Sequence, residues 1–143
     1  MIFLDSDAII AILRGTPAMG AFLAGHQADL FAIPIPVLYE IYYGFEYPPL
    51  AKKFRNDTQF LQRLQAEQQR MQQLLNDIQV FDLNLAAIKK SAAISAKLDA
   101  EGTLIGKFDM LIAGVILGAG YNQIVTSNSQ HYDKIKELEV LTF

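Results

Sequence analysis

The sequence contains no cysteine and no tryptophan, and its only histidines are His26 and His131. The absence of cysteine excludes disulfide bonds, thiol catalysis and cysteine–zinc sites. Two histidines are too few for a histidine-rich zinc centre. We therefore expect any metal ion bound by this protein to be held mainly by oxygen ligands, which favour Mg²⁺ or Mn²⁺.

Charge and long apolar runs are also scarce. Charged residues make up 19% of the chain and the net charge is −3, which argues against nucleic-acid binding through bulk positive charge but not against an enzyme with an acidic cleft. The longest uncharged apolar stretch, residues 110–120, has about half the length that a bilayer requires. The first seven residues include two acids and no basic residue, so we expect no signal peptide, no membrane partner and a cytoplasmic protein.

The length of 143 residues, of which 52% are hydrophobic, fits a single domain over residues 1–143 with its own core. Short apolar runs alternate with segments of helical periodicity. The predicted strands are residues 2–4, 30–33, 79–81 and 123–126, with residues 140–142 as the candidate fifth strand. The predicted helices are residues 7–14, 17–25, 36–46, 57–77, 84–101 and 107–118. This alternation indicates an α/β domain with a mainly parallel central sheet of four or five strands flanked by helices.

Acidic and polar side chains follow several of these predicted elements. Asp5 comes directly after the first strand, and Asn128 follows the fourth. Asp109 lies in the first turn of the sixth helix, and Glu40 is the only acid in residues 31–45. Because parallel α/β sheets bind ligands beyond the carboxyl ends of their strands, these side chains are candidates for one common site.

Each of these residues also has an ordinary structural interpretation. Asp5 or Asp7 suits a helix N-cap, and Asp109 suits the positive end of a helix dipole. Glu40 fits a solvated helix face, and Asn128 fits a turn. Taken together, however, converging carboxylates would repel one another until one takes up a proton. A divalent cation removes that conflict and can activate a water for in-line displacement at a phosphoryl group.

Four segments, in order along the chain, resemble the sequence motifs of PIN-domain ribonucleases, in particular the VapC-type toxins of bacterial toxin–antitoxin systems. The first is an apolar strand ending in Asp and followed by Leu-Arg-Gly, and the second is a helix with Glu before an aromatic-Gly pair. The third has Ile-Gly ahead of an Asp-x-Leu-Ile-Ala helix, and the fourth has Thr-x-Asn, an aromatic residue and a last strand. The segments are IFLDSDAIIAILRG, IPIPVLYEIYYG, EGTLIGKFDMLIAGVILGAG and IVTSNSQHYDKIKELEVLTF. They span nearly the whole chain, and the resemblance implies a PIN-like three-layer domain.

The resemblance also implies roles for individual residues. Asp5 and Asp109 would be direct metal ligands, and Glu40 would complete the acidic triad. Asn128 stands where many members have a fourth acid, which would help to position a second ion or a metal-bound water. Thr126 would orient Asp5 by hydrogen bonding. The implied activity is a Mg²⁺- or Mn²⁺-dependent endoribonuclease that hydrolyses RNA phosphodiester bonds with a metal-activated water, with Asp5, Glu40, Asp109 and Asn128 as its catalytic residues.

Three positions depart from the family pattern. Asp7, a supporting residue, stands where the family more often has Asn, so it adds a negative charge beside the site. Lys107 occupies a position where a second acid often precedes the Asp of the third motif, and Asn128 is uncharged. The changes at positions 107 and 128 weaken the expectation of a permanently bound second ion.

The resemblance implies three kinds of partner. These are an RNA substrate, a second copy of the chain, and a cognate antitoxin whose C-terminal segment occupies the active-site groove. Contact with DNA is expected only indirectly, through the antitoxin. A cluster of aromatic residues is a candidate surface for either protein contact, namely Tyr39, Tyr42, Tyr43, Phe45 and Tyr47. No residue pattern indicates which RNA is cut.

Two other functions compete with this one. The segment FLDSDAI matches the opening of haloacid-dehalogenase-like phosphohydrolases, with Asp5 as nucleophile and Asp7 as acid–base, but the paired-acid motif that this family carries late in its sequence is missing. A catalytically inactive PIN module that binds RNA or protein is the other alternative. Retention of Asp5, Glu40 and Asp109 argues against it, because a buried acidic triad destabilises a fold that holds no cation.

Overall fold

A computed structural model describes all residues from 1 to 143. Its strands are β1 (Ile2–Leu4), β2 (Phe31–Pro34), β3 (Gln79–Phe81), β4 (Gln123–Val125) and β5 (Glu139–Leu141). They form one sheet in the order β3-β2-β1-β4-β5, and all four strand pairings are parallel. The predicted α/β fold with a parallel central sheet is confirmed, and the candidate fifth strand is present.

Six α-helices connect and flank these strands. They are α1 (Ser6–Arg14), α2 (Pro17–Gly25), α3 (Ile35–Glu46), α4 (Thr58–Asp77), α5 (Leu85–Ala100) and α6 (Lys107–Gly118), and a short 3₁₀ helix covers Ser129–His131. No single helix is long and apolar enough to cross a bilayer; α1 and α2 reach that length and composition only as a pair, and the pair is bent by 105°.

The predicted element boundaries differ from the observed ones by about one residue. The second strand extends to Pro34, which pairs with Phe81, because a proline at the end of a strand removes only one donor from the ladder. The fourth strand ends at Val125, one residue before its predicted end, and the fifth begins one residue earlier than predicted, at Glu139. Such shifts are normal where strands of three or four residues pass into loops.

The central strand β1 is apolar at every position because helices cover both faces of the sheet. Ile2, Phe3 and Leu4 are all buried. The next residue, Asp5, ends the strand and begins α1, since its Oδ1 accepts a hydrogen bond of 2.9 Å from the backbone N–H of Ser6. The carboxylate is therefore fixed at the end of the most buried strand rather than on a mobile loop.

Close packing between α5 and α6 sets the direction of the helix that carries Asp109. Gly114 of α6 lies directly against α5, because a Cβ at this position would stand 2.5 Å from the carbonyl oxygen of Ala87 and 2.6 Å from the Cβ of Ser91. Both distances are shorter than real carbon contacts, so only glycine fits there. The helix axis, and with it the first turn of α6, depends on this contact.

We expect Gly114→Ala to lower the free energy of unfolding by about 1–3 kcal/mol, because the added methyl group forces α5 and α6 apart. Gly20→Ala is the matched control. Gly20 also lies inside a helix, but a Cβ at this position would meet nothing within 4 Å. This control should be neutral or raise stability by up to about 1 kcal/mol through the better helix propensity of alanine. Urea unfolding followed by circular dichroism measures both, and equal effects of the two substitutions would contradict the packing argument.

Candidate active site

A wholly polar pocket of about 300 Å³ opens at the carboxyl ends of β1 and β4. These two adjacent strands flank the point where the sheet order reverses, which is where parallel α/β sheets bind their ligands. The pocket is lined by Asp5, Ser6, Asp7, Glu40, Asp109, Thr126, Ser127, Asn128 and His131. It brings together every residue that the sequence nominated for the site.

Three separate elements deliver the three carboxylates of the proposed acidic triad. Asp5 is the N-cap of α1 directly after β1, and Glu40 lies in the second turn of α3, which follows β2. Asp109 lies in the first turn of α6, where the helix dipole favours a negative charge. Acids from distant parts of the sequence thus border one pocket.

Burial and mutual repulsion disfavour the charged forms of two of these acids. The pKa of Asp5 is raised to about 6, mainly because the carboxyl is buried and also because Asp7 and Glu40 are close. The hydrogen bond from the Ser6 N–H acts in the opposite direction but does not cancel the effect. Burial and the charge of Glu40 also raise the pKa of Asp109, while His131 lowers it. Burial and repulsion therefore oppose full ionisation of these acids, and the effect of His131 on Asp109 offsets this only in part.

Asp7 is held differently from Asp5. Its Oδ2 accepts hydrogen bonds from the Thr126 hydroxyl at 3.0 Å, from the Ser127 backbone N–H at 2.7 Å and from the Ser127 hydroxyl. The hydrogen bond that we predicted from Thr126 to Asp5 is therefore made to Asp7 instead, since a hydroxyl has a single proton to donate. Thr126 still lies near enough to Asp5 to lower its pKa. Asp7 thus ties the start of α1 to the loop after β4.

His131 is a pocket residue that the sequence motifs did not nominate. Its Nε2 lies 3.0 Å from Asn128 Nδ2, and its Nδ1 lies 3.7 Å from Asp109 Oδ2. The spacing was an available signal, because residues three apart in a helical turn share a face. Asn128 itself lines the pocket, and its backbone N–H donates to the Thr126 hydroxyl oxygen at 3.1 Å.

Tyr132 is a second residue near the site that the sequence motifs did not nominate. The side chain is completely buried, and its hydroxyl makes no hydrogen bond of normal geometry, although Asp5 lies close enough to raise the pKa of Tyr132. Burial raises the pKa of Tyr132, and the charges of Asp5, Asp109 and Glu40 raise it further. The phenol therefore stays protonated, and it lies on the buried side of the acidic cluster.

The donor atoms of the pocket suit a hard divalent cation. Carboxylate, hydroxyl and amide oxygens dominate the lining, with His131 as the one nitrogen ligand type. Asp7 Oδ1 is buried without a hydrogen-bond partner, which leaves a ligand-type oxygen unsatisfied. The structure contains no group of three acidic or histidine side chains close enough together to coordinate one ion. Binding of a cation therefore requires the side chains to move.

A larger pocket of about 570 Å³ lies between α1 and α4 and has a different character. Three arginines, Arg14, Arg63 and Arg70, line it, and Arg14 is paired with Glu67 at 3.0 Å. The pocket contains neither a group of acids nor a nucleophile with an adjacent base. Chemistry rather than size therefore identifies the smaller polar pocket as the candidate active site.

Comparison with known proteins gives a family and a fold. A family model described as the PIN domain matches residues 2–138. No curated protein sequence matches the chain. The family match covers all the residues that line the polar pocket.

Several solved structures have the same fold over nearly their whole length. The structure of VapBC2 from Rickettsia felis bound to a DNA fragment from its promoter matches with a TM-score of 0.77 and 20% identity, covering 100% of this chain and 99% of that one. DNA-bound VapBC from Salmonella typhimurium matches with a TM-score of 0.75 and 20% identity, over 99% and 96% of the two chains. FitAcB from Neisseria gonorrhoeae matches with a TM-score of 0.72 and 18% identity, over 99% and 96%. At these identities the similarity shows a shared fold.

The raised pKa of Asp5 predicts that Asp5→Asn stabilises the cation-free protein at high pH. In the unfolded chain the carboxyl has its ordinary pKa of 3.8, so the unfolded state ionises first and gains stability relative to the folded state as pH rises from about 4 to about 6. Above pH 6 the penalty is complete and amounts to about 3 kcal/mol. Asparagine removes the charge and keeps an oxygen for the Ser6 N–H.

Urea unfolding in EDTA measures this prediction. We expect Asp5→Asn to raise the free energy of unfolding by up to about 3 kcal/mol at pH 8 and to have little effect at pH 4. Asp82→Asn removes an acid that does not line the pocket, and it is the control for the loss of a carboxylate as such. An Asp5→Asn variant that is less stable than wild type at pH 8 would show that the buried charge is already compensated.

Proposed function

The chain belongs to the PIN-domain family, and from this we propose that it is a VapC-like toxin of the cytoplasm, a Mg²⁺- or Mn²⁺-dependent endoribonuclease that a cognate antitoxin holds inactive. One observation carries the proposal. Asp5, Glu40 and Asp109, delivered by three separate elements, border one wholly polar pocket at the switch point of a parallel sheet. A cluster of this kind destabilises the fold unless a bound cation relieves the repulsion between the carboxylates.

Each residue of the pocket has a definite task in this proposal. Asp5 and Asp109 would hold the cation, and Glu40 would supply the third carboxylate from α3. Asn128 would contribute an uncharged oxygen from the loop after β4. When bound, the cation supplies the activation of a water and the stabilisation of charge on the phosphoryl group that hydrolysis of an RNA phosphodiester requires.

The raised pKa of Asp5 supports its assignment as a cation ligand. A carboxyl that is buried and repelled by neighbouring acids gains most from a cation, because binding removes the repulsion and stabilises the ionised form. Asp7, in contrast, already has three hydrogen-bond donors on one oxygen and acts as a supporting residue that fixes the loop after β4. The N-cap role of Asp5 is compatible with cation binding, since only one of its oxygens accepts from Ser6.

The two competing functions are weaker. In a haloacid-dehalogenase-like enzyme Asp7 would have to exchange protons with the substrate, but its Oδ2 is engaged by Thr126 and Ser127 and its Oδ1 is buried. The family match to the PIN domain also speaks against that class. A catalytically inactive PIN module would share the fold, and only the measurement of cleavage separates it from the proposed nuclease.

An antitoxin partner is the second part of the proposal. The solved structures of VapBC from Rickettsia felis and Salmonella typhimurium are complexes bound to DNA, and the first is bound to a promoter fragment. This chain has a net charge of −3 and an acidic pocket, which do not suit direct DNA binding. We therefore expect any contact with DNA to be made by the antitoxin.

Self-association is the third part, and an exposed aromatic surface supports it. The tyrosine ladder consists of Tyr39 and Tyr43 of α3, Tyr47 directly after the end of α3, and Phe108 of α6. Its ring centroids are 6.3 Å, 5.5 Å and 5.1 Å apart for the pairs 39–43, 43–47 and 39–108. The three tyrosines are about half exposed or more. Exposed aromatic patches of this kind mark protein interfaces.

Two members of the predicted aromatic cluster lie outside the ladder. Phe45 is buried in the core, because it lies four residues after Ile41 on the inner face of α3. The prediction that Phe45 belongs to a contact surface is therefore wrong. Tyr42 is exposed, but its ring packs edge-on against Phe45 rather than on the ladder.

Cleavage of a single-stranded RNA in the presence of Mn²⁺ tests the nuclease proposal. We expect wild type to cleave and Asp109→Asn to lose at least about 100-fold in rate, since loss of a ligand exceeds the 10–100-fold cost of losing an outer-shell partner. Asp99→Asn, an exposed acid of α5 that does not line the pocket, is the matched control and should keep full activity. Wild type that binds Mn²⁺ and RNA but never cleaves would favour the inactive module.

The self-association proposal is tested by the concentration dependence of molar mass in light scattering. We expect wild type to form a dimer and Tyr43→Ser to raise its dissociation constant at least about tenfold, because the substitution removes the central ring of the ladder. Tyr42→Ser is the matched control on the same helix and should leave the dimer unchanged. A monomeric wild type, or equal effects of the two substitutions, would count against this interface.

A further inference from the structure

His131 connects two parts of the pocket that come from distant segments. The residue ends the 3₁₀ helix Ser129–His131, and its side chain is about half exposed. One ring nitrogen, Nε2, lies 3.0 Å from Asn128 Nδ2 in the loop after β4. The other, Nδ1, lies 3.7 Å from Asp109 Oδ2 in the first turn of α6.

The identity of the partner atoms fixes the tautomer of the ring. An amide nitrogen only donates hydrogen bonds, so Nε2 of His131 must accept from Asn128. The neutral imidazole then carries its proton on Nδ1, which faces the carboxylate of Asp109. A separation of 3.7 Å is longer than a direct hydrogen bond, so this second contact is electrostatic or bridged by water.

The first contact decides which way the amide of Asn128 faces. Because Nδ2 is engaged by His131, Oδ1 remains without a hydrogen bond inside the protein. The backbone of Asn128 is also held, since its N–H donates to the Thr126 hydroxyl. Oδ1 is the only side-chain atom of Asn128 that can bind a cation or accept from a water, and the ring of His131 keeps it available in the polar pocket.

The second contact acts on Asp109. The Nδ1–H of His131 directs the positive end of its dipole at Oδ2, which favours the ionised carboxylate and restrains its rotation. This arrangement repeats the relation between a metal ligand and its outer-shell partner, in which a polar group that does not touch the ion orients a group that does.

We propose that His131 is a positioning residue, which orients the Asn128 amide and the Asp109 carboxylate for the cation of the proposed nuclease. The inference rests on the proposed function, because that function defines the cation site. His131 contributes little to the core, since its side chain is about half exposed. Substitutions at this position should therefore leave the fold intact and report on the pocket alone.

The hydrogen-bond arrangement is measured first, in the cation-free full chain. Nitrogen-15 NMR at a pH where both histidines are neutral should find the proton of His131 on Nδ1. His26 is an internal reference, because its Nδ1 lies 2.8 Å from the carbonyl oxygen of Phe22 and must carry the proton. In Asn128→Ala, only the longer contact with Asp109 still favours the proton on Nδ1, so the form of His131 protonated on Nε2 should gain population while His26 stays unchanged. A wild-type His131 protonated on Nε2 overturns the inference.

Calorimetric titration with Mn²⁺ then measures the consequence for the cation. His131→Leu should weaken Mn²⁺ binding about 10–100-fold, the usual effect of losing an outer-shell partner. His131→Gln should stay within about threefold of wild type, because its carbonyl accepts from Asn128 and its amide donates toward Asp109. His26→Leu is the matched control, since that histidine stacks on Phe22 outside the pocket, and it should bind like wild type.

The outcomes separate the two proposals. If His131→Leu binds Mn²⁺ as tightly as wild type, or if His131→Gln is as weak as His131→Leu, the positioning role is wrong and the proposed function stands. If wild type itself binds no Mn²⁺ at millimolar concentration, the proposed function is wrong and the role of His131 falls with it. Urea unfolding of each variant shows that altered binding does not come from an altered fold.

Discussion

A single carboxylate at the end of a buried strand constrains the rest of the site. Asp5 is only 5% exposed, and it is the one acid among the fully buried residues. Its backbone N–H donates to the Val125 carbonyl at 3.1 Å and its side chain accepts from the N–H of Ser6, so contacts with β4 and α1 hold both parts of the residue. The fold thus holds a charge where charge is unfavourable, and the neighbouring groups must respond to it.

Asp7 is a nearby carboxylate whose hydrogen bonds differ from those of Asp5. It lies two residues from Asp5 and is also partly buried, yet three donors from Thr126 and Ser127 satisfy one of its oxygens. One oxygen of Asp7 thus has three partners within the protein, although its Oδ1 has none, whereas Asp5 accepts a hydrogen bond from the N–H of Ser6. Aspartate therefore anchors the loop after β4 at position 7, whereas at position 5 its carboxylate remains available to a ligand.

The sequence predicted the fold and the acids, but not their local partners. The apolar run before Asp5 and the helix starts at Asp57 and Asn84 depend on short-range patterns, and the structure has all three. Phe45 was also predictable, since its spacing of four from Ile41 assigns it to the inner face of α3. The acceptor of the Thr126 hydroxyl was not, because Asp5 and Asp7 lie equally near in sequence and only the path of the loop distinguishes them.

The departures from the family pattern at positions 7 and 128 change how negative charge is distributed around the pocket. Asp7 adds a negative charge, but its hydrogen bonds with Thr126 and Ser127 use it to anchor the loop after β4. That loop then presents a neutral amide at Asn128, where many family members have an acid, and Nε2 of His131 lies 3.0 Å from the amide nitrogen. Asp5, Glu40 and Asp109 are therefore the carboxylates of the pocket that do not anchor this loop. A further acid at position 128 would add to the repulsion that already raises the pKa of Asp5 and Asp109, and the neutral amide avoids this cost.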